Sequence, residues 1–182
     1  MKFRTPKAAL LLGSAALALT ACGSTVDGTA QPSGTAPATP HPSASSGNPF
    51  SDRNQCALLD QILSGAGFPK AAPSIAQGQK ACVTQKASGG INATSIGLLL
   101  QEGQRYTDNI NNPGKARSGT LNGRSFIEER EPLGSSGQCS ISMSVESSSR
   151  AIIIVTGGND TAASCGTAED LTKKLDPLLP KG

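Results

Sequence analysis

The 182-residue chain has no tryptophan, one tyrosine, four phenylalanines and one histidine. Its core must rest on Leu, Ile, Val and Ala rather than on large rings. The single histidine, His41, falls in a Pro- and Ser-rich stretch. A Ser/His/Asp hydrolase needs an imidazole base beside its nucleophile, and none is left downstream. A surplus of one charge is missing too. Lys2, Arg4 and Lys7 make up the whole +3 excess, and 13 basic side chains then face 13 acidic ones. That balance argues against a nucleic-acid partner, which asks for a basic patch or stripe, and against a polybasic membrane-surface domain. A long apolar run is also lacking. The first one, Ala8 to Leu19, has twelve residues, where a span needs ~20.

What stands at the front is a short export signal. Three basic residues precede the apolar run, and small residues close it, the layout of a cleavable secretory leader. The exit Leu19-Thr20-Ala21-Cys22 resembles the lipobox of bacterial lipoproteins. That resemblance implies a diacylglycerol on the Cys22 thiol and cleavage just before it. Thr20 and Ala21 are small enough to admit a peptidase, and cysteine supplies the soft nucleophile that a thioether requires. Acyl chains contribute ~0.8 kcal/mol per buried methylene, and two or more anchor stably. The expected partner is thus a membrane, held from its extracytoplasmic face. Three segments follow: a leader over 1–21, an acylated cysteine and tether over 22–50, and a folded domain over 51–182.

The tether is uniform in character. Of residues 23–49, 22 are Pro, Gly, Ser, Thr or Ala. Such a segment buries too little apolar surface to offset its ordering entropy. As a flexible coil it would hold the domain roughly 25–30 Å from its anchor.

Four more cysteines lie in the domain: Cys56, Cys82, Cys139 and Cys165. An exported chain meets an oxidising compartment. Four cysteines allow three pairings. The first two and the last two are equally far apart in the chain, which favours Cys56–Cys82 and Cys139–Cys165, each tying a helix to a strand. In the chain-entropy account each bridge stabilises by roughly 3–4 kcal/mol. A zinc site would bring close cysteine pairs, often with histidine. The spacing offers neither, so no metal and no cofactor is expected.

The pattern along the domain reads as α+β, a single antiparallel sheet of about five or six strands with an N-terminal and a C-terminal helix packed on it. Asp52 or Asn54 caps a first helix carrying Leu58, Leu59, Ile62 and Leu63 at helical spacing. "ACVTQ" and "INATSIGLLLQ" read as strands. "QEGQRYTDNINNPG" reads as a short helix packing Tyr106 and Ile110. Asn122-Gly123 sits between two strand segments, a strong hairpin signal because both positions tolerate positive φ. "QCSISMSVE" alternates, with Cys139, Ile141, Met143 and Val145 inward and Ser140, Ser142 and Ser144 on a solvated face. "AIIIVT" is apolar on both sides, as in a central strand. The last helix is expected from Thr167, with Asp170 closing a capping box. Glu169–Lys173 and Asp170–Lys174 would pair along it, and Pro177 would end it.

Together these parts resemble the actinobacterial lipoproteins bearing domain of unknown function 3558. The lipobox, the Pro/Ser/Thr tether, "NPF" before a cysteine-led helix, "NGRSF" before a cysteine strand, and a cysteine ahead of a closing helix with "LLP" carry the likeness from about Asn48 to Gly182. One position departs. That family commonly has Trp two residues after its second cysteine, where this chain has Thr84. No activity comes with the resemblance.

Catalytic candidates are sparse, and none is assigned as a catalytic residue. A Ser–Lys dyad would need Lys70, Lys80, Lys86 or Lys115, without G-x-S-x-G or S-x-x-K to support it. Glu128, Glu129 and Glu131 read as solvated strand-end charges rather than glycosidase carboxylates. Gly157–Asp160 reads as a strand-to-helix turn rather than a calcium loop. The expectation is a non-enzymatic envelope lipoprotein that binds an envelope protein or a small ligand. The alternative is an envelope hydrolase with an unfamiliar site.

Overall fold

The computed structural model describes residues 47–87 and 93–181. The leader, Cys22, His41 and most of the tether lie outside the described residues.

The domain is one seven-stranded antiparallel sheet with two helices on one face. Strand β1 is Ala72–Ala76, β2 Gln79–Lys86, β3 Thr94–Glu102, β4 Ala116–Leu121, β5 Arg124–Arg130, β6 Gln138–Glu146 and β7 Ser149–Gly157. Their order across the sheet is β1-β2-β3-β7-β6-β5-β4. Seven strands replace the expected five or six. The addition is β1, an edge strand of Ala, Pro, Ser, Ile and Ala that is exposed along most of its length. Without a buried face it has no apolar alternation to read.

Helix α1, Gln55–Ile62, is capped by Asn54, whose side chain accepts from the Ala57 N–H at 3.0 Å. Gln55 then inserts its amide beside β2 and β3. Its Nε2 donates to the Leu98 carbonyl at 2.9 Å, and its Oε1 accepts from the Leu100 N–H at 3.0 Å. Helix α2, Thr161–Leu175, starts earlier than Thr167 because Asp160, not Thr167, is its cap. Thr167 lies inside the helix, where its hydroxyl donates back to the Ala163 carbonyl at 3.0 Å. The stripe Cys165, Ala168, Leu171 and Leu175 is buried at helical spacing. Lys173 pairs with Asp170 at 2.9 Å, and Glu169 with Arg117, instead of the two i,i+4 pairs expected. A 3-10 turn at Asp176–Leu178 follows, with Pro177 inside it.

Both helices pack on one face against Ile96, Leu98, Ile141, Met143, Ile153 and Val155, among others. The disulfides fix each helix to its strand. Cys56–Cys82 joins α1 to β2, and Cys139–Cys165 joins α2 to β6. Both pairings are those favoured by the spacing. Thr84, in the position of the family's tryptophan, is buried and donates to the Pro69 carbonyl at 2.8 Å. The Asn122-Gly123 turn closes the β4–β5 hairpin with φ of 49° and 87°.

The chain leaves β3 near the middle of the sheet and must reach β4 at its far edge. Four strand spacings separate them, about 19 Å. Residues 103–115 make that crossing on the face opposite the helices. The expected helix with Tyr106 and Ile110 is absent there; the segment is turns and bends ending in a 3-10 turn at Pro113–Lys115. Here the groups a helix would pair are taken by the sheet instead: the Asp108 carbonyl accepts from Arg150 and the Asn112 N–H donates to Glu129, and Asn109 at φ 57° leaves the helical region.

Candidate functional site

The crossing segment turns the second sheet face into a covered one. Ser140 and Ser142, expected in solvent, are buried, and only Ser144 keeps partial exposure. A small apolar cluster of Ala81, Leu99 and Ile152 lies on the same face, which confirms that "AIIIVT" is central and covered on both sides. Glu128 and Glu129 are likewise buried rather than solvated, whereas Arg130 is exposed.

Two side chains hold the crossing segment down. At its far end Glu129 accepts from the Asn112 backbone N–H, and Asn112 Nδ2 donates to the Arg130 and Glu131 carbonyls, both at 3.3 Å. At its near end stands Arg150, which follows Ser149 at the start of β7 and is 2% exposed. Its Nε donates to Gln101 Oε1 at 2.7 Å. Its Nη1 donates to the carbonyls of Arg105, at 3.3 Å, and Asp108. Its Nη2 donates to Gln104 Oε1.

No carboxylate lies within ion-pair distance of Arg150 among the described residues. The Asp108 carboxylate instead accepts from the Arg105 backbone N–H at 2.8 Å and pairs with the Arg105 side chain. That N–H, opposed by burial and joined by the Arg105 and Arg150 charges, holds Asp108 below the usual carboxylate range. Burial pushes the Arg150 guanidinium down from its ordinary value, and the Asp108 charge offsets this in part. A buried cation without a bound carboxylate is costly, so this arrangement calls for an explanation.

Beside Arg150 opens a cleft of about 550 Å³. Six amide side chains line it: Gln77, Gln79, Gln101, Gln104, Asn109 and Asn111. Leu133, 74% exposed, stands with them. Gln77 and Asn109 hold left-handed backbone, φ 51° and 57°, a conformation uncommon outside glycine. Gln77 adopts it in the two-residue turn between β1 and β2. A separate void of about 10 Å³, lined by Asp108, Glu129 and Ser142 among others, lies beneath the crossing segment. The Ser142 hydroxyl is the one buried side-chain oxygen or nitrogen without a protein partner among the described residues. That void is about the size of one water.

A second cluster lies on the helix face. Glu128, fully buried, accepts from Arg117 at 2.6 Å and Arg130 at 3.2 Å, and Arg117 also reaches Glu169. Burial pushes the Glu128 carboxyl up; the hydrogen bonds from Arg117 and Arg130, with the Arg117 charge, outweigh it and hold the carboxyl below its ordinary range. The adjoining groove, about 350 Å³, has an apolar floor of Leu121, Phe126 and Ile141. Glu128 also lies near Cys139 and Cys165, but those sulfurs are bonded to each other and offer no thiolate to a metal.

The other candidates from the sequence are dispersed. Lys70 pairs with Asp60, Lys115 with Glu131, and Lys86 donates to the Ala66 carbonyl; Lys80 is exposed on β2. Gly157–Asp160 is the strand-to-helix turn. The Arg150 cleft was not among the expected sites. Its only local signal is an arginine opening the apolar run "AIIIVT".

A family model described as Protein of unknown function (DUF3558) matches residues 17–178. No curated protein and no solved structure matches the chain. The match takes in the two disulfide-tied helices, all seven strands and the crossing segment, and the chain belongs to the DUF3558 family.

Proposed function

We propose that the chain is a lipid-anchored, extracytoplasmic binding module whose ligand occupies the Arg150 cleft. The observation that carries this reading is the buried guanidinium held by carbonyls and amides instead of a carboxylate. A fixed positive charge among amide groups attracts and orients a polar ligand. Neither a guanidinium nor an amide changes its protonation state near neutral pH to serve as a general acid or base, so such a cleft suits holding a ligand rather than converting it. Leu19-Thr20-Ala21-Cys22, the leader before it and the tether after it support the anchor. Two disulfides suit an oxidising compartment.

The test compares cells expressing the full chain and its Cys22→Ala variant. The unaltered chain should fractionate with membranes, begin at Cys22 and carry acyl mass, and the variant should be soluble. Envelope extract added to the isotope-labelled protein should shift resonances of the cleft. A soluble chain with a free Cys22 thiol would overturn the anchor. Shifts confined to the helix-side groove would overturn the choice of face.

A further inference from the structure

We propose that the Arg150 cleft selects a sugar acid: a hydroxyl-rich ring of monosaccharide size bearing one carboxylate. This inference rests on the binding-module reading above.

The donors come first. Arginine has no acceptor, so the amide oxygens of Gln101 and Gln104 must both face it. Their nitrogens, with two N–H groups each, are the ends that Arg150 leaves unused. The guanidinium carries five N–H groups. Four are engaged, one by Gln101, two by the Arg105 and Asp108 carbonyls and one by Gln104. One N–H, on Nη2, has no partner among the described residues.

The charge comes second. Arg150 is the one cationic residue among those lining the cleft, and no carboxylate lines it. A single positive charge matches a single negative one. A phosphate dianion would ask for more cations or a nest of backbone N–H groups.

The remainder of the lining fixes the body of the ligand. The six amides offer N–H donors, and Gln77, Gln79, Asn109 and Asn111 keep their oxygens as acceptors, which suits hydroxyl groups that do both. Leu133 adds an exposed apolar side chain at the same cleft, suited to the C–H face of a sugar ring. The volume of about 550 Å³ falls within the ordinary range for small-molecule sites, ~300–1,000 Å³.

The test titrates the full chain, isotope-labelled, with glucuronate, glucose, acetate and inorganic phosphate while recording backbone and arginine Nε–H resonances. Glucuronate should shift residues 101–111 and Arg150, with a Kd at least tenfold below that of the other three. Gln104→Leu should raise that Kd at least fivefold with α2 resonances unmoved, and Asn111→Ala, a change at an exposed position, should raise it less. Glucose equal to glucuronate, or phosphate tighter than it, would overturn the sugar-acid assignment while leaving a binding cleft. A cleft silent to all four probes and to envelope extract would overturn both the assignment and the reading beneath it.

Discussion

The two faces of the sheet solve the same burial problem by different means. The helix face is covered by two amphipathic elements, each bonded covalently to a strand, over a core of Leu, Ile, Val, Met and Ala. The opposite face is covered by the irregular segment 103–115, a small apolar cluster, and polar anchors at Arg150 and Glu129. Apolar burial is non-directional and makes a rigid slab. Polar anchoring is directional and leaves donors and acceptors over, which is what a binding face needs. On the reading proposed above, stability concentrates on one side and recognition on the other.

Removing the Cys139–Cys165 bridge should have the largest effect, since it ties α2 to the centre of the sheet. Cys139→Ala with Cys165→Ala should cost about 2–5 kcal/mol, measured by urea unfolding. Leu98→Ala, fully buried beneath the helices, should cost about 2–5 kcal/mol. For a matched pair, Ile153→Val beneath the helices should cost the upper part of about 0.5–1.5 kcal/mol and Ile152→Val on the loop-covered face the lower part. If the two faces responded equally to matched deletions, the division between them would fail.

Gly137→Ala probes the seam where β6 meets the turn before α2. Gly137 has φ 76°, and a Cβ there would lie 2.1 Å from the Gly158 carbonyl oxygen. Backbone cannot yield as a side-chain tip can, so a loss of about 1–3 kcal/mol is expected, read as a lowered Tm.

Acid sharpens the contrast differently. Burial raises the Glu128 pKa, but its hydrogen bonds, led by that from Arg117, hold it below the unfolded value. The unfolded chain therefore binds more protons between the two values, and stability rises with pH there. The contribution is present above the ordinary glutamate pKa of ~4.3 and lost as pH falls through the folded one. Glu128→Gln should flatten the acid limb of a stability–pH curve. An unchanged limb would remove Glu128 from the account.

Much of the helix face was legible in the sequence. Its elements announce themselves locally: Asn54 before a Leu-rich run, Asn122-Gly123 between strands, strict alternation from Cys139 to Val145, and cysteines at equal separations. Thr167 and Asp170 imitate a cap and draw the expected start of α2 too far along the chain, while Asp160 sits in a turn that reads equally well as loop. The other face was not legible. Ser140 and Ser142 show the right alternation, yet their burial depends on where a much earlier segment of the chain crosses the sheet. Glu128 and Glu129 resemble solvated strand ends until Arg117 and Asn112 are brought to them by β4 and the crossing segment. The Arg150 cleft combines residues from β2, β3, β7, two turns and the crossing segment, and topology alone assembles it.

Hydrogen exchange on the full chain, with and without glucuronate, tests the division of labour most directly. Residues 103–112 should exchange faster than α2 in the free protein and gain protection with glucuronate, while α2 and β6 stay unchanged. Protection gained instead along α2 and the Leu121–Phe126 groove, with residues 103–112 unaffected, would contradict the account.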